Sequence, residues 1–331
     1  MEAARGQVAA LLGCAEDEVI FTGGGTESNN MAIQGVAWAL VERGRHIITS
    51  AVEHPAVSEV CAWMARQGWE ISTLPVDAQG RVRPADLAAA LQPDTVLVSI
   101  MHANNEVGTL QPSADLAAIA HARGVLFHAD GAQAVGKVPC RMDALGVDLY
   151  SVAGHKLYAP KGVGALFVRR GTPLAKVVHG ADHESNRRPG TENTLGIVGL
   201  GRACELAQDT EVRGDHLRAL RDRLHDGILA GVPDAHLNGH PSERLPNTLS
   251  LAFPDLMATS ILDALADEVA ASAGAACHAD QVTISRVLQA MAVSERLAVG
   301  SIRFSTGVFL SEGEVDRVAA AIVRVVRELR G

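Results

Sequence analysis

Over the first two thirds of the chain, short apolar runs alternate with amphipathic, alanine-rich stretches. That alternation is the βα signature of a mostly parallel sheet. Residues 19–22, 46–50, 95–101, 125–130, 149–153 and 163–168 read as strands. Residues 26–43, 56–67, 114–123 and 193–209 read as helices, with Ser113 as N-cap of the third and Gly124 closing it. The last third changes character. A charged helix over 212–229 precedes a strand near 248–253, a helix over 258–267 and a short apolar segment, 269–272. Then come a helix over 285–291, a strand over 301–305 and a final helix over 312–330, opened by Ser311 and Glu314 at capping-box spacing. The pattern predicts an α/β domain over 1–209 and a smaller α+β domain over 210–331, divided in the charged stretch 209–215, without internal repeats.

Composition narrows the classes. A chain of 331 residues, 47% hydrophobic, builds a large core without disulfides or a structural metal. Aromatics are only 3% and the net charge is −9, which argues against base stacking and against a nucleic-acid footprint. Five dispersed cysteines without CxxC spacing fit free thiols in a reducing cytoplasm. The first residues lack a signal-peptide pattern, and no uncharged apolar run reaches 18 residues. The expectation is a soluble cytoplasmic protein with neither nucleic acid nor membrane as partner.

Three segments carry chemistry. Val19 to Asn30 runs from a strand through Gly23, Gly24 and Gly25 into a helix near Thr26. Glycines let backbone N–H groups close on a phosphate at a positive helix end. No Gly-Lys-Ser/Thr follows, so this is not a nucleotide P-loop. Ser151 to Lys156 ends a strand, where open α/β sheets face their ligands. Only four lysines are present, and one placed there is a candidate Schiff-base nucleophile. Asp130 ends a third strand. Singly, each is as readily a Gly-rich turn, a surface lysine or an ordinary strand-end acid. Together, Thr26, Asp130 and Lys156 match what pyridoxal phosphate needs: a phosphate cup, an acid against the pyridinium nitrogen and a lysine.

The motifs Phe21 to Asn30, Glu53-His54, Asn104-Asn105-Glu106, His128 to Gln133 and Gly154-His155-Lys156 resemble the cysteine desulfurase and selenocysteine lyase family, in family order along the whole chain. The resemblance implies fold-type I: a mostly parallel seven-stranded sheet flanked by helices, plus a small C-terminal domain. It further implies a pyridoxal-phosphate homodimer with shared active sites. Position by position, Lys156 takes the Schiff-base role, Asp130 pairs with the ring nitrogen, Gln133 bonds the ring hydroxyl and His54 stacks on the ring. Asn105 contacts cofactor or substrate, while Gly25, Thr26 and His155 hold the phosphate. Thr191 caps that phosphate from the neighbouring subunit. Cys277 matches a mobile-loop nucleophile, its small and polar neighbours suiting an exposed thiolate, and Arg303 matches the clamp on the substrate carboxylate. Lys156 or His155 moves the Cα proton. No metal is implied.

The chain departs from the family pattern in places. It begins beyond an N-terminal segment that lines the family's site and ends soon after its last helix. Ala153 replaces a phosphate-contacting serine, Gly180 to Glu184 replaces a glycine-rich stretch, and Ser185 stands where arginine is common. The surroundings of Cys277, with Arg188 to Asn193, are closer to selenocysteine lyases. The expectation is a cysteine desulfurase that turns L-cysteine into alanine and stores the sulfur on Cys277 as a persulfide. An unidentified acceptor protein then takes the sulfur, as in iron–sulfur cluster assembly. The alternatives are a selenocysteine lyase, a truncated or degenerate homologue, or another class V reaction such as transamination or a kynureninase-like cleavage. A role for His278 stays open.

Overall fold

The computed structural model describes residues 1–278 and 281–331, and across 275–278 and 281–283 the backbone alone. The chain forms two compact units. One comprises Met1–Pro75, Val82–Asn104 and Gln111–Thr210; the other comprises Val76–Arg81, Asn105–Leu110 and Glu211–Gly331. The second unit thus takes up two short segments from the first half of the chain.

In the first unit, α1 (Glu2–Leu12) precedes β1 (Val19–Thr22), α2 (Gly25–Ala39), β2 (His46–Ser50), α3 (Pro55–Arg66), β3 (Glu70–Leu74) and α4 (Pro84–Ala90). There follow β4 (Thr95–Ser99), α5 (Ser113–His121), β5 (Leu126–Asp130), α6 (Met142–Leu145), β6 (Leu149–Ala153), β7 (Gly164–Val168) and α7 (Thr194–Leu206). Seven strands form one sheet in the order β1-β7-β6-β5-β4-β2-β3. Only β7 runs antiparallel to its neighbours. Strands covered on both faces read as continuous apolar runs, and β2, β4, β6 and β7 are buried along their whole length. Met31, Ile33 and Val36 of α2 pack against Ile20, Ile47 and Leu97 of the sheet. The edge strand β3 is exposed or half-buried along Glu70 to Thr73 and presents no apolar run, and the strand pattern did not predict it. Helix α2 ends at Ala39, not 43, and Ser113 is the first residue of α5, not its cap.

The second unit begins essentially with α8 (Thr210–Gly231) and continues through β8 (His236–Asn238), β9 (Thr248–Ala252), α9 (Ala258–Ala264) and β10 (Ser272–Ala273). A ribbon follows, β11 (Ala275–His278) and β12 (Gln281–Ile284), then α10 (Arg286–Ala290), α11 (Glu295–Ala298), β13 (Ser301–Ser305) and α12 (Glu312–Arg330). An antiparallel sheet, β10-β13-β9-β8, packs Leu251, Phe253 and Ile302 against Leu224 and Ile228 of α8 and Ile322 of α12. The segment 269–272 contributes only its end to a strand, as β10. The capping box of α12 is formed: Glu314 N–H donates to Ser311 Oγ at 3.3 Å and Ser311 N–H to the Glu314 carboxylate at 2.8 Å.

Candidate active site

In the first unit, three parallel strands end on site residues: β1 on Thr22, β5 on Asp130 and β6 on Ala153. Gly164, the first residue of β7, pairs with both Thr22 and Ala153 and so draws those two ends together. A side chain at Gly164 has no room, since a Cβ there would lie 2.8 Å from Gly24 Cα and 2.5 Å from the Val152 carbonyl. Gly24 caps α2 at φ 146°, a conformation open to glycine. A Cβ on Gly25 would sit 3.2 Å from the Ala153 methyl and 3.9 Å from that of Ala132. The start of α2 therefore leans between the ends of β5 and β6. Its first N–H groups have no partners within the helix and carry the positive end of the dipole. Glu27 would oppose an anion here, but its carboxylate accepts from Gly23 N–H at 2.6 Å and is paired with Arg188 at 2.7 Å.

Asp130 is 6% exposed. Its Oδ2 accepts from Asn29 at 2.8 Å and its Oδ1 from Ala132 N–H at 2.9 Å. Burial raises its pKa, opposed by those two hydrogen bonds and by His54. Among the described residues no cation forms an ion pair with it, so a buried acid keeps lone pairs for a charged N–H donor. Gly154–Leu157 makes one 3-10 turn after β6 and carries His155 and Lys156, both exposed. Partial burial, then the charges of Lys156, Lys161 and Lys137, hold His155 below the usual imidazole range. His54 caps α3, its Nδ1 accepting from Ala56 N–H at 3.0 Å, with the ring exposed. Gln133 is half-buried and Thr26 exposed. Thr191 lines a shallow recess with Thr22, Gly23 and Arg188 of its own chain. A helix end against a glycine turn, a buried acid lacking a countercharge and a lysine at a strand end fit the phosphate, ring nitrogen and carbonyl carbon of pyridoxal phosphate.

In the second unit, Arg303 of β13 donates from Nη1 to the Asn105 carbonyl at 2.8 Å and from Nη2 to Ser272 Oγ at 3.0 Å. Its buried Nε has no partner among the described residues. Both Arg303 and Asn105 line a cavity of about 430 Å³ together with Ser250, Gly274 and Arg286. The backbone at Cys277 lies in β11, paired with Val282 of β12, so a ribbon stands where the sequence predicts a loop. The base of that ribbon is closed by Ser285 N–H donating to the Gly274 carbonyl at 3.0 Å, and Ser285 Oγ bonds the Glu106 carboxylate. The side chains of Cys277 and His278 lie outside the described residues. Burial raises the thiols of Cys61, Cys140 and Cys204 to about 12, which leaves them as small core hydrophobes.

The model of the aminotransferase class-V family matches residues 1–318. The chain belongs to this family. It is 46% identical over 334 residues to the cysteine desulfurase IscS of Dictyoglomus turgidum, an alignment spanning 100% of this chain and 84% of the relative. It is 44% identical to the cysteine desulfurase of Mus musculus, over 100% of this chain and 72% of that one. Among solved structures, a NifS-like protein superposes with a TM-score of 0.92 at 36% identity, covering 99% of this chain and 87% of that one. SspA in complex with cysteine superposes at 0.79 with 33% identity, over 92% and 85%. Within the class-V family the chain is thus a member of the cysteine desulfurases.

Several residues of this cysteine desulfurase family member were not singled out by sequence reasoning. Asn29 lies one turn into α2, inside a motif quoted for its glycines, and its role appears only with Asp130 as a partner. His128 bridges Ser99 and Ser151 on the two flanking strands, at 2.8 and 3.0 Å. The His102 ring bonds the Tyr150 hydroxyl at 2.8 Å, and its backbone N–H donates to the Asp130 carbonyl at 2.9 Å. The spacing His128-x-Asp130, which puts both side chains on one face of β5, was the available signal for His128. No helix among the described residues is long and apolar enough to cross a membrane.

Proposed function

We propose that this chain is a cytoplasmic, pyridoxal-phosphate-dependent cysteine desulfurase, acting as a homodimer. The observation that carries the reading is the buried Asp130, which forms no ion pair among the described residues, bonded to Asn29 of α2 at the end of β5, while the turn after the neighbouring β6 carries Lys156. Identity to cysteine desulfurases along the whole of this chain supports the choice of reaction over transamination or selenocysteine cleavage. Asp130 would hold the proton of the ring nitrogen and Gln133 would bond the ring hydroxyl. His54 would lie on the ring face, and Lys156 would hold the carbonyl carbon until the substrate amine displaces it. Gly25, Thr26 and His155 would bind the phosphate, with Thr191 of a second copy closing over it. Leu195 and Val198, exposed on α7, give that second copy apolar surface to cover. Bound there, the cofactor supplies an electron sink for bonds at the substrate Cα.

Arg303 and Asn105 receive the amino acid, and the guanidinium fork matches its carboxylate. Lys156 Nζ removes the Cα proton, with neutral His155 as the neighbouring base. The Cys277 thiolate then attacks the substrate sulfur. An S–S bond forms as the Cβ–S bond breaks, and the electron pair left on carbon takes up a proton, so alanine leaves and Cys277 keeps a persulfide. An acceptor protein removes that sulfur.

The test is alanine release from L-cysteine and L-selenocysteine, each with pyridoxal phosphate and a reductant, for the native chain and Cys277→Ala. The expected result is turnover of cysteine by the native chain and its loss in the variant, with selenocysteine cleavage retained because selenide leaves without help. Unchanged cysteine turnover in the variant removes Cys277 from the mechanism. Alanine from neither substrate overturns the function.

A further inference from the structure

The turn that carries His54 is held from outside. Between β2 and α3 the chain makes a short turn, Ala51 to His54, and the bonds that fix it come largely from the segment after β4. Met101 N–H donates to both carboxyl oxygens of Glu53, at 2.9 and 3.2 Å. The Ser50 hydroxyl donates to the same carboxyl at 2.6 Å. Asn104 Nδ2 donates to the Val52 carbonyl at 3.1 Å. Glu53 is 7% exposed and Asn104 is fully buried, so these bonds form away from water, where losing one partner is costly. The ring they hold is itself oriented. Its Nδ1 accepts the Ala56 N–H, so neutral His54 carries its proton on Nε2.

We propose that Glu53 and Asn104 are positioning residues for His54, clamping the β2–α3 turn to the β4 end so that the imidazole is presented in one orientation and one tautomer. The proposal rests on the reading that His54 lies against the cofactor ring. A buried acid suits this task in its neutral form. Burial lifts the Glu53 carboxyl to about 8, with the charge of Asp130 adding to the push and the Ser50 and Met101 bonds opposing it. The titratable groups around it are His54 on its own turn, Asp130 at the end of β5 and Cys61 on α3. The two buried carboxyls repel each other's charge, so a raised Glu53 pKa eases the charging of Asp130.

The full chain is compared with Glu53→Ala, Glu53→Gln, Asn104→Ala, His54→Ala and the double variant E53A/H54A. In cofactor-free protein, NMR of 15N-labelled histidine reads the His54 tautomer, its resonance identified by its loss in H54A. The Nε2–H form is expected in the native chain and in E53Q, whose amide oxygen can accept the Ser50 and Met101 bonds made to Oε1, and a tautomer mixture in E53A. In protein loaded with pyridoxal phosphate, visible circular dichroism reads how the ring is seated. E53A is expected to lower that signal at least about twofold, toward the level of H54A, and the double variant to fall no further than H54A. Additive losses, or a native tautomer in E53A, overturn the proposal. If E53A does not fold, N104A carries the same expectation through the Val52 carbonyl. A native chain without any visible band overturns the cofactor reading instead, and the tautomer measurement still decides the clamp.

Discussion

Asp130 and the imidazoles of His102 and His128 are polar groups that the fold buries, and each has a measurable consequence. Replacing Asp130 with Asn keeps the Ala132 bond on the amide oxygen and meets Asn29 once that side chain turns its unpartnered oxygen over, but it removes the charge that holds the ring proton. Alanine release from cysteine is expected to fall by about two orders of magnitude or more, with the chain still folded, since the charge is what matches the pyridinium. Burial holds His102 at about 4 and His128 at about 3, so both are neutral in the folded chain at neutral pH. The unfolded chain binds those protons near pH 6.5, and the folded one does not. Stability from these groups is therefore present above 6.5 and lost as pH falls toward 4, each tenfold loss of proton affinity on folding being worth about 1.4 kcal/mol. Urea denaturation of cofactor-free protein between pH 6.5 and 4 checks this, and His128→Gln is expected to flatten the slope. At this scale the positions of Asp130, Thr26 and Lys156, at the end of β5, in the first turn of α2 and in the turn after β6, were legible because each adjoins a recognisable strand. Glu53, Asn29 and His102 were not. Their meaning lies in partners 48, 101 and 48 positions away, and no local pattern records that.

Elements obey the same division between local and distant causes. Strand β13 and helix α12 have the bounds that the sequence predicts, because alternating polar and apolar residues in one and a capping box in the other are local signals. Ser311→Ala is expected to cost about 1 kcal/mol, the usual worth of an N-cap, measured by urea denaturation. Strand β3 escaped because an exposed edge strand has no apolar run, and its parallel pairing with β2 supplies what propensity does not. The ribbon β11–β12 escaped because glycine and alanine neighbours read as loop. The antiparallel sense of β7 was equally silent, yet it decides the site. Gly164→Ala puts a methyl into Gly24 and Val152, an overpacking worth about 1–3 kcal/mol. It is expected to weaken binding of pyridoxal phosphate as well as stability, because the displaced atoms belong to the phosphate turn. Equilibrium titration of cofactor-free variant against native chain checks the first, and a urea midpoint the second.

On the scale of the whole molecule, the second unit is discontinuous in sequence. Its segment Asn105–Leu110 gives the carbonyl that fixes Arg303 and bridges Arg244 through Thr109. Thr109 Oγ1 in turn donates to the Gln79 carbonyl at 2.7 Å, from the other short segment. A fragment of residues 211–331 lacks both segments and is expected to unfold at lower urea concentration than the same unit in the full chain, with Arg303 deprived of its Asn105 bond. Native-like amide exchange protection in that fragment would refute this. The antiparallel strand of the seven-stranded sheet, β7, has a further consequence, for biosynthesis. β1 is made before the other six strands of its sheet, but its only partner there is β7, which ends at residue 168. A nascent chain leaving the ribosome therefore carries its glycine turn unpaired for about 145 residues of elongation, a long loop to close and a slow step. Cofactor capture has to wait for that closure, so release of a chain cut short before Gly164 yields a protein that has six of the seven strands of this sheet and no place to put the phosphate.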